Sequence, residues 1–141
     1  VMLATWHALP EPAQESVLLA RWQQIREVRA EVSKVLEELR VAGRIGSSLQ
    51  AEVEIRAAGE SHDILASLGD DLRFVLICSK ATLVKVGDSA AEGIAAAPSP
   101  HAKCPRCWHW REDVGANAGH PELCGRCDAN LHAEGEPRCH A

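Results

Sequence analysis

From about residue 12 to residue 42, apolar side chains recur every three or four positions: Leu18, Trp22, Ile25, Val28, Val32, Val35 and Leu39. That period predicts one buried face of an α-helix. The remaining faces carry Arg21, Arg26, Arg29, Glu31, Lys34, Glu38 and Arg40. Pro10 and Pro12 break any helix arriving from upstream, and Gly43 is a natural stop. A helix of about 30 residues is long for a globular domain, so its stripe needs neighbours along its length, some of them outside this chain. Arg26, Arg29, Lys34, Arg40 and Arg44 could meet phosphate, but a solvated charged face is the simpler reading.

Beyond Ile45-Gly46-Ser47-Ser48 the period shortens to two. Leu49 to Arg56 alternates apolar and polar positions and predicts a half-buried strand. Ala58-Gly59-Glu60 reads as a turn, with Ser61 as the cap of a short helix ending at Leu68. Leu72 to Cys78 is a continuous β-prone run and predicts a central strand. Ala81–Val86 and Gly93–Ala97 predict two more strands, and Ala95 to Ala102, with Pro98 and Pro100, a linker. The pattern divides the chain into 1–48, 49–100 and 101–141, an α+β arrangement: a long helix, a small α+β unit and a C-terminal module.

That last module has almost no apolar pattern. What it has is Cys104-Pro-Arg-Cys107 and, with sixteen residues between, Cys124-Gly-Arg-Cys127. Two such knuckles place four sulfurs at the corners of a tetrahedron, and four thiolates suit zinc at about 2.3 Å. A closed shell leaves no position for substrate, so this zinc is structural. Gly125 permits the tight second turn and would leave its amide for a sulfur. His109 and His120 lie nearby, but the shell is complete without them. Cys78 reads as a small buried residue and Cys139 as a bystander near the end. Reduced thiols and metal point to the cytoplasm.

The chain has 141 residues and a net charge of -5, which excludes broad electrostatic adhesion to nucleic acid. The excess is local: residues 49–100 carry four basic and eight acidic side chains, while the two flanking segments are near balance. No apolar run approaches a membrane span, and no signal peptide opens the chain. Valine stands first, as in a piece of a longer protein.

Cys104-Pro-Arg-Cys107-Trp108-His109, Asp113-Val114-Gly115, His120 to Cys127, Asn130-Leu131 and Gly135 to Arg138 together resemble the C-terminal zinc module of bacterial isoleucyl-tRNA synthetases. Val28 to Arg40, followed by Ile45 to Ala51, resembles the end of that family's helical anticodon-binding region, and Trp6 fits the segment before it. The resemblance implies a parent ligase that uses ATP to attach isoleucine to its tRNA. It also implies a non-catalytic tRNA-recognition role, near the anticodon, for this region. Neither a His-x-Gly-His nor a Lys-Met-Ser-Lys-Ser type of motif is present.

RNA loops are read by stacking bases on aromatic rings, with cations on the phosphates. Trp108, directly after the first knuckle, is the candidate stacking residue, with Lys103, Arg106, Arg111 and Arg126 as its cations. Trp110 is a weaker candidate. A DNA-repair glycosylase finger shares the cysteine pattern, but the alternating strand and acidic middle do not suit it. An iron-binding rubredoxin needs more core aromatics than the five here. A zinc module that only buttresses the fold is the remaining alternative.

Overall fold

The structure is a computed structural model that describes residue 5 and residues 13–136. Trp6 and Cys139 lie outside the described residues. The helical period produces α1, Glu15–Val41. It ends in a left-handed turn at Gly43 (φ 69°), where Gly43 N–H donates to Arg40 O and Arg44 N–H to Leu39 O. These two bonds satisfy carbonyls that a helix end otherwise leaves open. Ile25, Val32, Leu36 and Leu39 are its buried residues. Leu36 takes the core position that the sequence pattern assigned to Val35. Lys34 and Arg40 pair with Glu31 and Glu37 one turn away at 2.7 and 2.6 Å, on an exposed face where such pairs stabilise little.

The strand pattern produces β1, Ala51–Ala57, with Ala51, Val53, Ile55 and Ala57 buried and Glu54 and Arg56 outward. Helix α2, Gly59–Ala66, follows, and then α3, Leu72–Leu76. Ser61 lies inside α2 rather than capping it; the residue before the helix is Ala58. Strands β2, Lys80–Lys85, and β3, Gly93–Pro98, flank β1 in the order β2-β1-β3, parallel on one side and antiparallel on the other. The parallel pair has α2 and α3 in its crossover. The three helices meet the strands, and the buried side chains of α1, β1, α2 and α3 form one core.

Two expectations fail here. The run Leu72 to Cys78 is not a central strand but helix α3 and its exit. A short apolar run fits a buried helix as well as a strand. Here Leu72 and Leu76, one turn apart, face the core, and Ile77 leaves the helix in a left-handed conformation (φ 56°). The central strand is β1. Residues 95–102 are not a free linker either. Ala95 to Pro98 belong to β3, and Ser99 is tied down by its N–H to Gln50 O at 2.7 Å and its hydroxyl to Glu52 at 2.7 Å. Small side chains and prolines at a sheet edge imitate a linker, since an edge strand tolerates proline.

Cys78 is fully buried, as its apolar setting predicts, and burial pushes its thiol up to about 12. Ser79 beside it is also fully buried. Its hydroxyl donates to Leu49 O and accepts from Trp110 N–H at 2.6 Å, joining the start of β2 to the cysteine-bearing module. Ser79→Ala is expected to cost about 1–3 kcal/mol, because it strands a carbonyl and an amide together. The check is the urea midpoint; an unchanged midpoint would show that neither bond matters.

Candidate metal centre

The first knuckle is the tip of a hairpin. Strands β4, Ala102–Lys103, and β5, Trp110–Arg111, pair antiparallel. Between them Cys104 N–H donates to His109 O, and Trp108 N–H to Cys104 O, both at 2.9 Å. The second knuckle opens helix α4, Gly125–His132, with Cys124 just before it and Cys127 in its first turn. Asp128 N–H closes that turn on Cys124 O at 3.0 Å.

The sulfurs of Cys104, Cys107, Cys124 and Cys127 all lie within 4.8 Å of one another, and the Cys107 and Cys124 sulfurs are 3.7 Å apart. A zinc–thiolate tetrahedron with bonds of about 2.3 Å has edges of about 3.8 Å, so the donor set fits one structural zinc. The four thiols are unequal. Burial works to raise Cys104, but the backbone amides of Cys107, Cys124 and Arg106 and the Cys107 thiol outweigh it and bring it to about 6. Burial raises Cys107 and Cys124. Neutral thiols in a buried cluster are what a dication is needed to deprotonate.

Gly125 does not point its amide at a sulfur. It donates to the Asp113 carboxylate at 3.1 Å, and a Cβ there would lie 3.0 Å from the same oxygen. A side chain at this position would have to displace the Asp113 carboxylate by a few tenths of an ångström. Arg106 approaches the sulfurs instead, with a guanidinium nitrogen 3.6 Å from Cys127 Sγ, and offsets part of the thiolate charge.

The other predicted residues separate into two groups. Trp108 stands outward, 61% exposed, in a left-handed backbone conformation (φ 65°), with Lys103 Nζ 5.8 Å from its ring centroid. Arg106 and Lys103 are exposed on the same knuckle. Arg126 turns inward, 4.8 Å over the Phe74 ring and 2.6 Å from Glu136. Arg111 is held by Asp113 at 3.4 Å. Trp110 is half-buried with its N–H on Ser79.

Reading the sequence missed the joint around Phe74. His109 is buried, its ring edge-on to Phe74 at 5.5 Å, and Nδ1 donates to Cys107 O at 3.0 Å. Burial, and then the charges of Arg73, Arg126 and Arg111, depress its pKa despite that bond. Arg73 covers Phe74 at 4.6 Å and pairs with Asp70 at 2.7 Å. Four side chains from the α+β unit and the zinc module thus share one contact, with no sequence spacing to announce it.

Residues 103–130 match the family described as "Zinc finger found in FPG and IleRS". Over the whole chain, 141 residues, the sequence is 63% identical to an isoleucine–tRNA ligase of Aromatoleum aromaticum. It is 56% identical over 138 residues to that of Burkholderia multivorans, covering 98% of this chain. The chain matches the C-terminal region of isoleucine–tRNA ligases. Over 134 residues, 95% of the chain, it is also 59% identical to the isoleucine–tRNA ligase of Paraburkholderia phymatum. It spans about 15% of the length of the first two ligases and 14% of the third. Full-length identity of this order covers α1, the sheet and the zinc module together. The family model that also covers FPG fingers matches residues 103–130. No described helix is long and apolar enough to cross a membrane.

Proposed function

We propose that this chain is the tRNA-recognition end of a cytoplasmic isoleucine–tRNA ligase, reaching the anticodon region while ATP-dependent chemistry proceeds elsewhere in the parent. Within it, residues 1–48 are the end of the helical anticodon-binding domain, residues 49–100 are the scaffold, and residues 101–141 are the RNA-facing module. The observation that carries this reading is Trp108. An indole that is 61% exposed, held in a left-handed turn by the metal knuckle and flanked by Lys103, contributes little to any core. Strained, exposed and rigidly mounted side chains are characteristic of ligand contacts. The ring offers a stacking face, and Lys103 and Arg106 offer charge to the adjoining phosphates. Arg111 and Arg126, engaged by Asp113 and Glu136, hold the platform rather than reach from it.

The second reading is a module that only buttresses the parent, favoured by the Phe74, His109 and Arg126 joint. Titration of labelled isoleucine tRNA and an anticodon-altered version distinguishes the two. The chain is expected to bind the cognate tRNA weakly. With phosphate contacts from Lys103 and Arg106, the slope of log affinity on log salt should be about -1.4, since each contact to a single strand contributes about 0.7. Equal binding of both tRNAs, or affinity indifferent to salt, would favour the structural reading.

A further inference from the structure

Outside the thiolate cluster, three more metal-ligating side chains converge where the loop before Cys124 meets α4. Asp128 and His132 stand four residues apart on the helix and so share a face, and His120 reaches them from the loop. One donor atom from each of His120, Asp128 and His132 lies within 4.8 Å of the other two. His120 Nδ1 is 2.8 Å from Asp128 Oδ1, and the two imidazoles lie parallel with centroids 3.8 Å apart. Asn117 donates to the other Asp128 oxygen at 2.7 Å, fixing the carboxylate from behind.

We propose that His120, Asp128 and His132 form a second, labile site for a zinc-class divalent ion. Two imidazoles and a carboxylate are a borderline nitrogen and oxygen donor set, suited to zinc, cobalt or nickel rather than to calcium or magnesium. Three protein ligands leave a position for water, unlike the closed thiolate shell. Asn117 plays the part that outer hydrogen-bonding partners commonly play for a ligating carboxylate. An imidazole binds a metal in its own ring plane, so the parallel stack must open as the donors draw in. His132 is exposed at the end of α4 and can turn without disturbing packing. Occupation would pin the 117–123 loop to the helix that carries Cys127. The proposal stands independently of any role in tRNA binding.

The test starts from the chain carrying one zinc by elemental analysis, titrated with Co2+ and followed by calorimetry and visible absorption. A second equivalent should bind with weak d–d bands and no sulfur-to-metal charge-transfer band. His132→Gln should lower the affinity for that equivalent by at least about 10-fold and leave the first zinc in place. His120→Gln should act alike, and because His132 is exposed its variant stays informative if His120→Gln fails to fold. Saturation at one metal per chain would overturn the proposal. So would a second equivalent that His132→Gln leaves unchanged, or a charge-transfer band showing that cobalt had merely entered the thiolate cluster.

Discussion

Cys124→Ser is expected to strip the zinc, unfold residues from about 101 to 136, and loosen the end of the α+β unit that touches them. A serine hydroxyl does not ionise near neutral pH, so the shell loses a ligand and gains a poor neighbour. The module has little else to stand on. Its buried apolar set among the described residues is Cys104, Cys124 and Cys127, with Cys107, Val114 and Leu123 against them. The ligands are the core. Structural zinc contributes about 10–16 kcal/mol of apparent binding free energy, which matches or exceeds the whole stability of an ordinary domain. Without a linker at 95–102, unfolding does not stop at residue 101. Trp110 N–H leaves Ser79, and His109 and Arg126 leave Phe74. Elemental analysis and hydrogen exchange together read the outcome. Amides of 101–136 should exchange freely, protection at Ser79 and Lys80 should fall, and Val32 to Leu39 in α1 should stay slow. A variant that still carries a full equivalent of zinc would refute the four-thiolate site. Unchanged protection at Ser79 would show that the joint is a contact without energetic coupling.

The metal centre was legible because its information is local. Two Cys-x-x-Cys turns fix their own sulfur geometry, and only the closing distance depends on the fold. Helix α1 and strand β1 were legible for a related reason: each buries one face, so the period of Ile25 to Leu39 or of Ala51 to Ala57 writes the structure into the sequence. Leu72 to Cys78 carries no such period, because a short run apolar at every position but Arg73 fits either element, and the left-handed exit at Ile77 is one that residue type alone does not reveal. The joint was not legible at all. Ser79 and Trp110 are 31 positions apart, and nothing about a serine after a cysteine predicts which amide it will receive. The same holds for Gly125, whose amide goes to the Asp113 carboxylate and not to a sulfur. Trp108 could be placed beside the metal from sequence, but not on its outside.

That outward placement makes Trp108 the residue whose substitution should separate recognition from folding. In the parent ligase proposed above, Trp108→Ala should reduce tRNA-dependent charging by roughly 5- to 150-fold, the equivalent of about 1–3 kcal/mol for one lost base stack. Isoleucine activation without tRNA should be unaffected. Zinc content should remain, since the ring is not a ligand and stands 61% exposed. Trp108→Gly sharpens the separation. At φ 65° a tryptophan sits in a conformation that costs an L-residue roughly 1–2 kcal/mol, which glycine adopts freely. The glycine variant should therefore be as stable as the parent, or more so, in a denaturant melt, while losing the same tRNA-dependent activity as alanine. A buttress would behave in the opposite way, with stability and zinc retention falling first and charging falling after them. A Trp108→Gly ligase that is fully folded, holds its zinc and charges tRNA at the normal rate would remove the indole from the recognition surface.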